Sequence, residues 1–82
     1  MAQVVLTSTL ANRFTGGETH LDVSAASVRE LLKILESDFP GLGKEIENAQ
    51  LLAIDGEIFQ EAFLQKIKPG SEVFVLPKLG GG

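Results

Sequence analysis

The group best suited to chemistry is the last one in the sequence. The 82 residues end in Leu79-Gly80-Gly81-Gly82, which places a carboxylate behind three residues that lack a Cβ. Such a segment is narrow and adopts backbone angles closed to other residues. It can thread a tight channel and present its carboxylate to another protein's active site. The alternative reading is an ordinary frayed end. Gly16, Gly17, Gly41, Gly43, Gly56 and Gly70, by contrast, sit at turn-like positions. A carboxylate is a poor electrophile, because its charge is delocalised and its leaving group is oxide, so it reacts only after activation. The chain contains no cysteine.

No other constellation supports catalysis, and no catalytic residue is assigned. The sequence has no glycine-rich phosphate loop closing on Lys-Ser or Lys-Thr, no cysteine nucleophile and one histidine. His20 shares a strand face with Asp22, but no further metal ligands lie nearby, so it reads as a surface histidine and no metal site is expected. Glu45 with Glu47, and Asp55 with Glu57, read as solvated charges, since a domain of this size leaves little room for a cleft that would perturb them. Ser27 is committed as a helix cap. Ser8, Ser24, Ser37 and Ser71 have no evident histidine base.

Composition narrows the setting. A hydrophobic share of 44% suits a packed domain, and no apolar run approaches the roughly 18–20 residues that span a bilayer. Met1 to Leu6 carries no basic region ahead of its apolar residues, so no secretory signal is expected. The absence of cysteine is compatible with a reducing compartment, and the cytoplasm is the expected location. The formal charge of −4 disfavours nucleic acid and anionic membrane as partners and favours a basic protein surface.

The elements that position the tail follow from periodicity. Gln3 to Thr9 reads as a β-branched strand, Thr15 to Glu18 as a turn and Thr19 to Val23 as a return strand, together an N-terminal hairpin. Ser27 and Glu30 form a capping box. Val28, Leu31, Leu32, Leu35 and Phe39 then make one apolar helical stripe, with Ile34 near its edge, and the Phe39-Pro40 pair ends the helix. Leu42 to Asn48 reads as a short helix or turn, Gln50 to Asp55 as a strand, and Ile58-Phe59 as a short strand. Phe63, Leu64 and Ile67 are expected beneath a loop. Ser71 to Pro77 is the final strand, with Val73 and Val75 on one face and Phe74 and Leu76 on the other. One main helix covering one face of a sheet predicts an α+β sandwich, with residues 1–77 as the domain and 78–82 as a flexible tail.

That order, with its glycine terminus, resembles the MoaD/ThiS family of β-grasp (ubiquitin-like) sulfur carriers, and the resemblance spans essentially the whole chain. In the family the last strand runs into a proline, an apolar residue, a small residue and a terminal Gly-Gly. Here Pro77, Leu79 and Gly80 fill those places, and Gly81-Gly82 is the diglycine. Lys78 departs from the pattern, standing where a second proline is common, which leaves the stretch less rigid. Phe14-Thr15-Gly16-Gly17 and Phe39-Pro40-Gly41-Leu42 look like motifs of the CysO and TtuB branches. The resemblance implies a single β-grasp domain with a mixed sheet of four to five strands and one main helix, free as a monomer.

It further implies that Gly82 is adenylated, at the expense of ATP, by an E1-like partner of the MoeB/ThiF type and converted to a thiocarboxylate. Leu79, Gly80 and Gly81 would thread into partners, and a sulfur-accepting synthase or larger synthase subunit would receive the sulfur. Molybdopterin, thiamine, cysteine and tRNA thiolation all draw on this fold. The protein then reads as a protein cosubstrate, with no tightly bound cofactor. Phe74 and Leu76, with Ile58 beside them, are expected on the open sheet face as the partner-docking patch; the alternative is that a loop or side chain covers Phe74. Two competing functions remain at this level: a ubiquitin-like modifier conjugated through Gly82, and a non-covalent β-grasp interaction module.

Overall fold

Alternation of Val4 with its neighbours in the first strand, and of Val73 and Val75 in the last, brings the two ends of the chain together at the centre of one sheet. The computed structural model describes residues 1–59 and 62–77. Its elements are β1 (Ala2–Val5), α1 (Ser8–Phe14), β2 (His20–Val23), α2 (Val28–Asp38), α3 (Leu42–Ala49), β3 (Gln50–Ile54), β4 (Glu57–Phe59) and β5 (Glu72–Pro77). The sheet order is β2-β1-β5-β3-β4. β1 and β5 run parallel, with Val4 opposite Val73, and the other pairs are antiparallel. A parallel pair cannot be joined by a tight turn, and here almost the whole chain serves as the crossover. Val4, Leu52, Ile54, Val73 and Val75 face the helices. They meet Val28, Leu31 and Leu35 of α2, Leu10 and Ala11 of α1, and Leu42 and Ile46 of α3. The four-to-five-strand mixed sheet and the main helix are thus both present, with two shorter helices beside them.

The N-terminal hairpin requires correction. β1 and β2 do pair antiparallel, with Val4 opposite Leu21, but β1 ends at Val5 and α1 intervenes. The Thr7 hydroxyl accepts from the Leu10 N–H at 3.2 Å, an N-cap that turns Ser8 and Thr9 into a helical first turn despite the β-branched run before them. Leu10, Ala11 and Phe14 then carry the buried side of α1, which outweighs the local strand preference. A second correction concerns residues 63–67. Ile67 is buried, whereas Phe63 and Leu64 are exposed, Leu64 at 83%. The segment is held by backbone pairing with the approach to α2, through the Val28 N–H to the Gln65 carbonyl and the Ile67 N–H to the Ala26 carbonyl.

α2 begins as expected. The Ser27 hydroxyl accepts from the Glu30 N–H, while the Glu30 carboxylate reaches back to the Ala26 N–H. The start of α3 is capped from outside its own sequence. Gly41, at its N-cap, has φ 97° and no side chain to offer. The Glu36 carboxylate of α2 supplies the acceptors instead, taking the Gly41 N–H at 2.7 Å and the Lys44 N–H at 3.0 Å. These bonds hold Glu36 below its ordinary value, led by the Gly41 N–H. A Cβ at Gly41 would also meet the Phe14 ring at 3.0 Å, so the Phe14 and Phe39-Pro40-Gly41 motifs meet each other in the packing of α1 against α3.

Candidate functional site

β5 is the element that places everything the tail depends on. Val73 and Val75 anchor it to the core at 0% and 2% exposure. Its start is clamped by Asp55, which follows β3 in a left-handed conformation at φ 50°. The Asp55 N–H donates to the Glu72 carbonyl at 2.9 Å. Its carboxylate accepts from the Glu72 N–H at 3.0 Å and from the Ser71 hydroxyl at 2.8 Å. The Glu72 N–H, then the Ser71 hydroxyl, lowers the Asp55 pKa from its ordinary value. Asp55 is therefore a register clamp rather than a freely solvated charge, and buried Ser71 is its partner. The other end of β5 is Pro77, opposite Gln50.

With that register fixed, the open face assembles across the sheet. Ile58 lies opposite Ala53, Ala53 opposite Phe74, Phe74 opposite Val5, and Val5 opposite His20. Leu76 lies opposite Leu51 on the same face. Ile58 is 60% and Phe74 37% exposed, while Leu76 is half-buried. Ala53, between Ile58 and Phe74, is buried yet stands apart from the helix-side core. The three sequence-predicted docking residues therefore share one face, two of them flanking Ala53. Phe74 is neither fully exposed nor covered. Gly82, with Leu79, Gly80 and Gly81, lies outside the described residues.

Other sequence candidates resolve as structural groups. The His20 ring sits on an exposed edge strand with its Nδ1 3.0 Å from the Thr19 hydroxyl. Among the described residues no cluster of three His, Cys, Asp or Glu side chains is placed to hold a metal ion. Glu45 faces Arg13 at 3.7 Å. The expectation that so small a domain leaves little room for a cleft is overturned. A cavity of about 430 Å³ opens between α2, α3 and the β3–β4 hairpin. Phe63 and Leu64, though exposed, contribute to its wall. Its walls are chiefly apolar, and Gln50 lines it. Sequence reasoning missed Gln50; no motif signals it, since its position in the cavity follows from tertiary packing alone.

A five-stranded mixed sheet with a central parallel pair of first and last strands, covered on one face by helices, is the β-grasp or ubiquitin-like fold. The fold expected from the resemblance to MoaD/ThiS carriers is the fold observed. No family model matches the sequence, and no curated protein does. Solved structures match over nearly the whole chain. CysO of Mycobacterium tuberculosis, described as an antigen, is similar at TM-score 0.84 with 18% identity, covering 96% of this chain and all of its own. The BexX/CysO complex of Amycolatopsis orientalis contains a chain similar at TM-score 0.84 with 22% identity, covering both chains completely. Small archaeal modifier protein 1 of Methanosarcina acetivorans is similar at TM-score 0.77 with 22% identity, over 99% of this chain and 95% of its own. At these identities the likeness is one of fold. Among the described residues no helix is long and apolar enough to cross a membrane.

Proposed function

We propose that this protein is a sulfur carrier whose Gly82 carboxylate is adenylated by an E1-like partner of the MoeB/ThiF type and converted to a thiocarboxylate. The observation that carries the reading is the coincidence of two things. The fold matches CysO end to end, and the last strand of that fold runs through Pro77 into Lys78-Leu79-Gly80-Gly81-Gly82. In the first step the carboxylate attacks ATP, forming the acyl-adenylate and releasing pyrophosphate. In the second, hydrosulfide displaces AMP and leaves the thiocarboxylate. A partner's persulfide serves equally, provided that a second thiol then cleaves the acyl disulfide. The chain itself supplies the nucleophilic carboxylate, the narrow approach and a docking face of Ile58, Phe74 and Leu76. A basic partner surface would suit its negative charge. The recipient is a sulfur-accepting synthase or larger synthase subunit, and the carrier acts in the cytoplasm as a cosubstrate, not as an enzyme.

The test is C-terminal-fragment mass spectrometry after incubation with ATP, an activating enzyme of this type and a sulfur donor. Replacement of one oxygen by sulfur, localised to Gly82, is the expected result. It must be absent from a chain lacking Gly82 that folds normally. An unmodified Gly82, with an enzyme active on another carrier, removes the reading. The archaeal modifier fold match favours a second reading, conjugation through Gly82 to lysine amines; it predicts isopeptide-linked adducts that vanish with the same deletion.

A further inference from the structure

The cavity on the helix side plays no part in the chemistry above. Leu32, Ile46, Leu52 and Phe59 line it, and so does Gln50. The Gln50 side-chain oxygen is buried and accepts no hydrogen bond from any described residue. A buried acceptor without a donor is unfavourable, so the lining is suited to an occupant that brings both an apolar group and an N–H.

The sheet register shows where such an occupant lies closest. Gln50 is the cross-strand partner of Pro77, the residue that precedes Lys78-Leu79-Gly80-Gly81-Gly82. Strand alternation puts Gln50 and Leu52 on one side with Pro77, the helix side. The chain thus leaves β5 beside the cavity lining. Neighbouring strands lie about 4.8 Å apart, and the two residues from Pro77 to Leu79 reach roughly 7 Å when extended, so Leu79 is within range of the cavity wall at Gln50. The segment's chemistry matches its surroundings. Leu79 is its only apolar side chain, the glycines offer backbone N–H donors, and Lys78 is opposite in charge to Glu47, which also lines the cavity.

We propose that the C-terminal segment of the free protein folds back over the end of β3, seats Leu79 in this cavity and donates a glycine N–H to the Gln50 side-chain oxygen. The tail is thereby stowed against its own domain until a partner draws it out. That consequence rests on the carrier reading, whereas the docking itself does not. One leucine's burial is set against the ordering of the residues that deliver it, so the latch is weak and a partner's channel competes with it readily.

The experiment is heteronuclear NMR on the full chain, its Leu79→Ser variant and a chain ended after Pro77, with no activating enzyme present. The expected result is nuclear Overhauser contacts from the Leu79 methyls to Phe59 and Ile46. The Gln50 side-chain amide and the Leu52 amide should shift in the same direction in both altered chains, unchanged on tenfold dilution. Both altered chains keep residues 1–77 unchanged, so their fold is expected to be intact. Cavity resonances identical in the full chain and Leu79→Ser would overturn the proposal. Contacts that fade on dilution would overturn it too, since they assign the cavity to the tail of a second copy. Neither outcome bears on whether Gly82 accepts sulfur.

Discussion

Gly43→Ala tests how tightly α3 is seated on α2, and here two familiar effects oppose each other. Gly43 lies in the first turn of α3, and a Cβ there would fall 2.6 Å from the Leu32 carbonyl oxygen and 2.9 Å from the Glu36 Cβ. An ordinary contact is about 3.5 Å, so the two helices must part by most of an ångström. In favour of alanine stands helix propensity, at most about 1 kcal/mol and less in a first turn whose N–H groups have no intrahelical partner. Against it stands overpacking, about 1–3 kcal/mol, in the upper part of that range because the first atom met is backbone and cannot rotate away. Separation of the helices also draws the Gly41 and Lys44 N–H groups from Glu36. The net expectation is a loss of about 1–2 kcal/mol, which lowers the melting midpoint by roughly 5–15 °C in a domain of this size. Urea titration at neutral pH measures it, with an unchanged slope as the check that only stability has moved. An alanine variant as stable as the parent, or more so, would refute the packing argument.

Three further outcomes follow from the same geometry. Ile58→Asp, on an exposed edge of the open face, should cost no more than about 1 kcal/mol of stability yet reduce activation by an E1-like partner at least about tenfold; normal activation kinetics would remove Ile58 from the docking patch. Leu35→Ala empties a site that is 1% exposed and should cost about 2–5 kcal/mol, read from the denaturation midpoint, a smaller loss showing that the helix collapses onto the sheet. Glu36 and Asp55 titrate below their ordinary values of 4.5 and 3.8 because N–H and O–H donors hold their charged forms. The stability they contribute is therefore complete above those values and is lost as pH falls through the lower folded-state ones. Midpoints measured from neutral pH into acid should fall less steeply for Glu36→Gln than for the parent, and identical profiles would contradict the capping role.

How far the sequence anticipates this molecule depends on the range of the interaction involved. α2 is legible because a serine cap, a glutamate three residues on and an apolar stripe are all local. β5 is legible because strict alternation allows one burial pattern. α1 is hidden because Thr7 serves a strand and an N-cap equally well, and only the spacing of Leu10, Ala11 and Phe14 speaks for the helix. The α3 cap leaves no local trace at all, since its acceptor sits in the preceding helix. The open-face patch is readable from alternation alone, but its order across the five strands needs the register that Asp55 helps to clamp. The cavity depends on how Phe59, Ala62, Phe63 and Leu64 are placed against α2 and α3, which no periodicity encodes.

The central placement of β5 has a mechanical consequence. Under the carrier proposal, a partner holding the C-terminal segment would load this strand along its length. β5 is bonded on both sides, to β1 through three residue pairs and to β3 through five. The load therefore falls on two ladders at once and in shear, where their bonds must break together rather than one by one as in peeling an edge. A pull on the C-terminal end of β5 therefore meets more resistance than the same pull on an edge strand would.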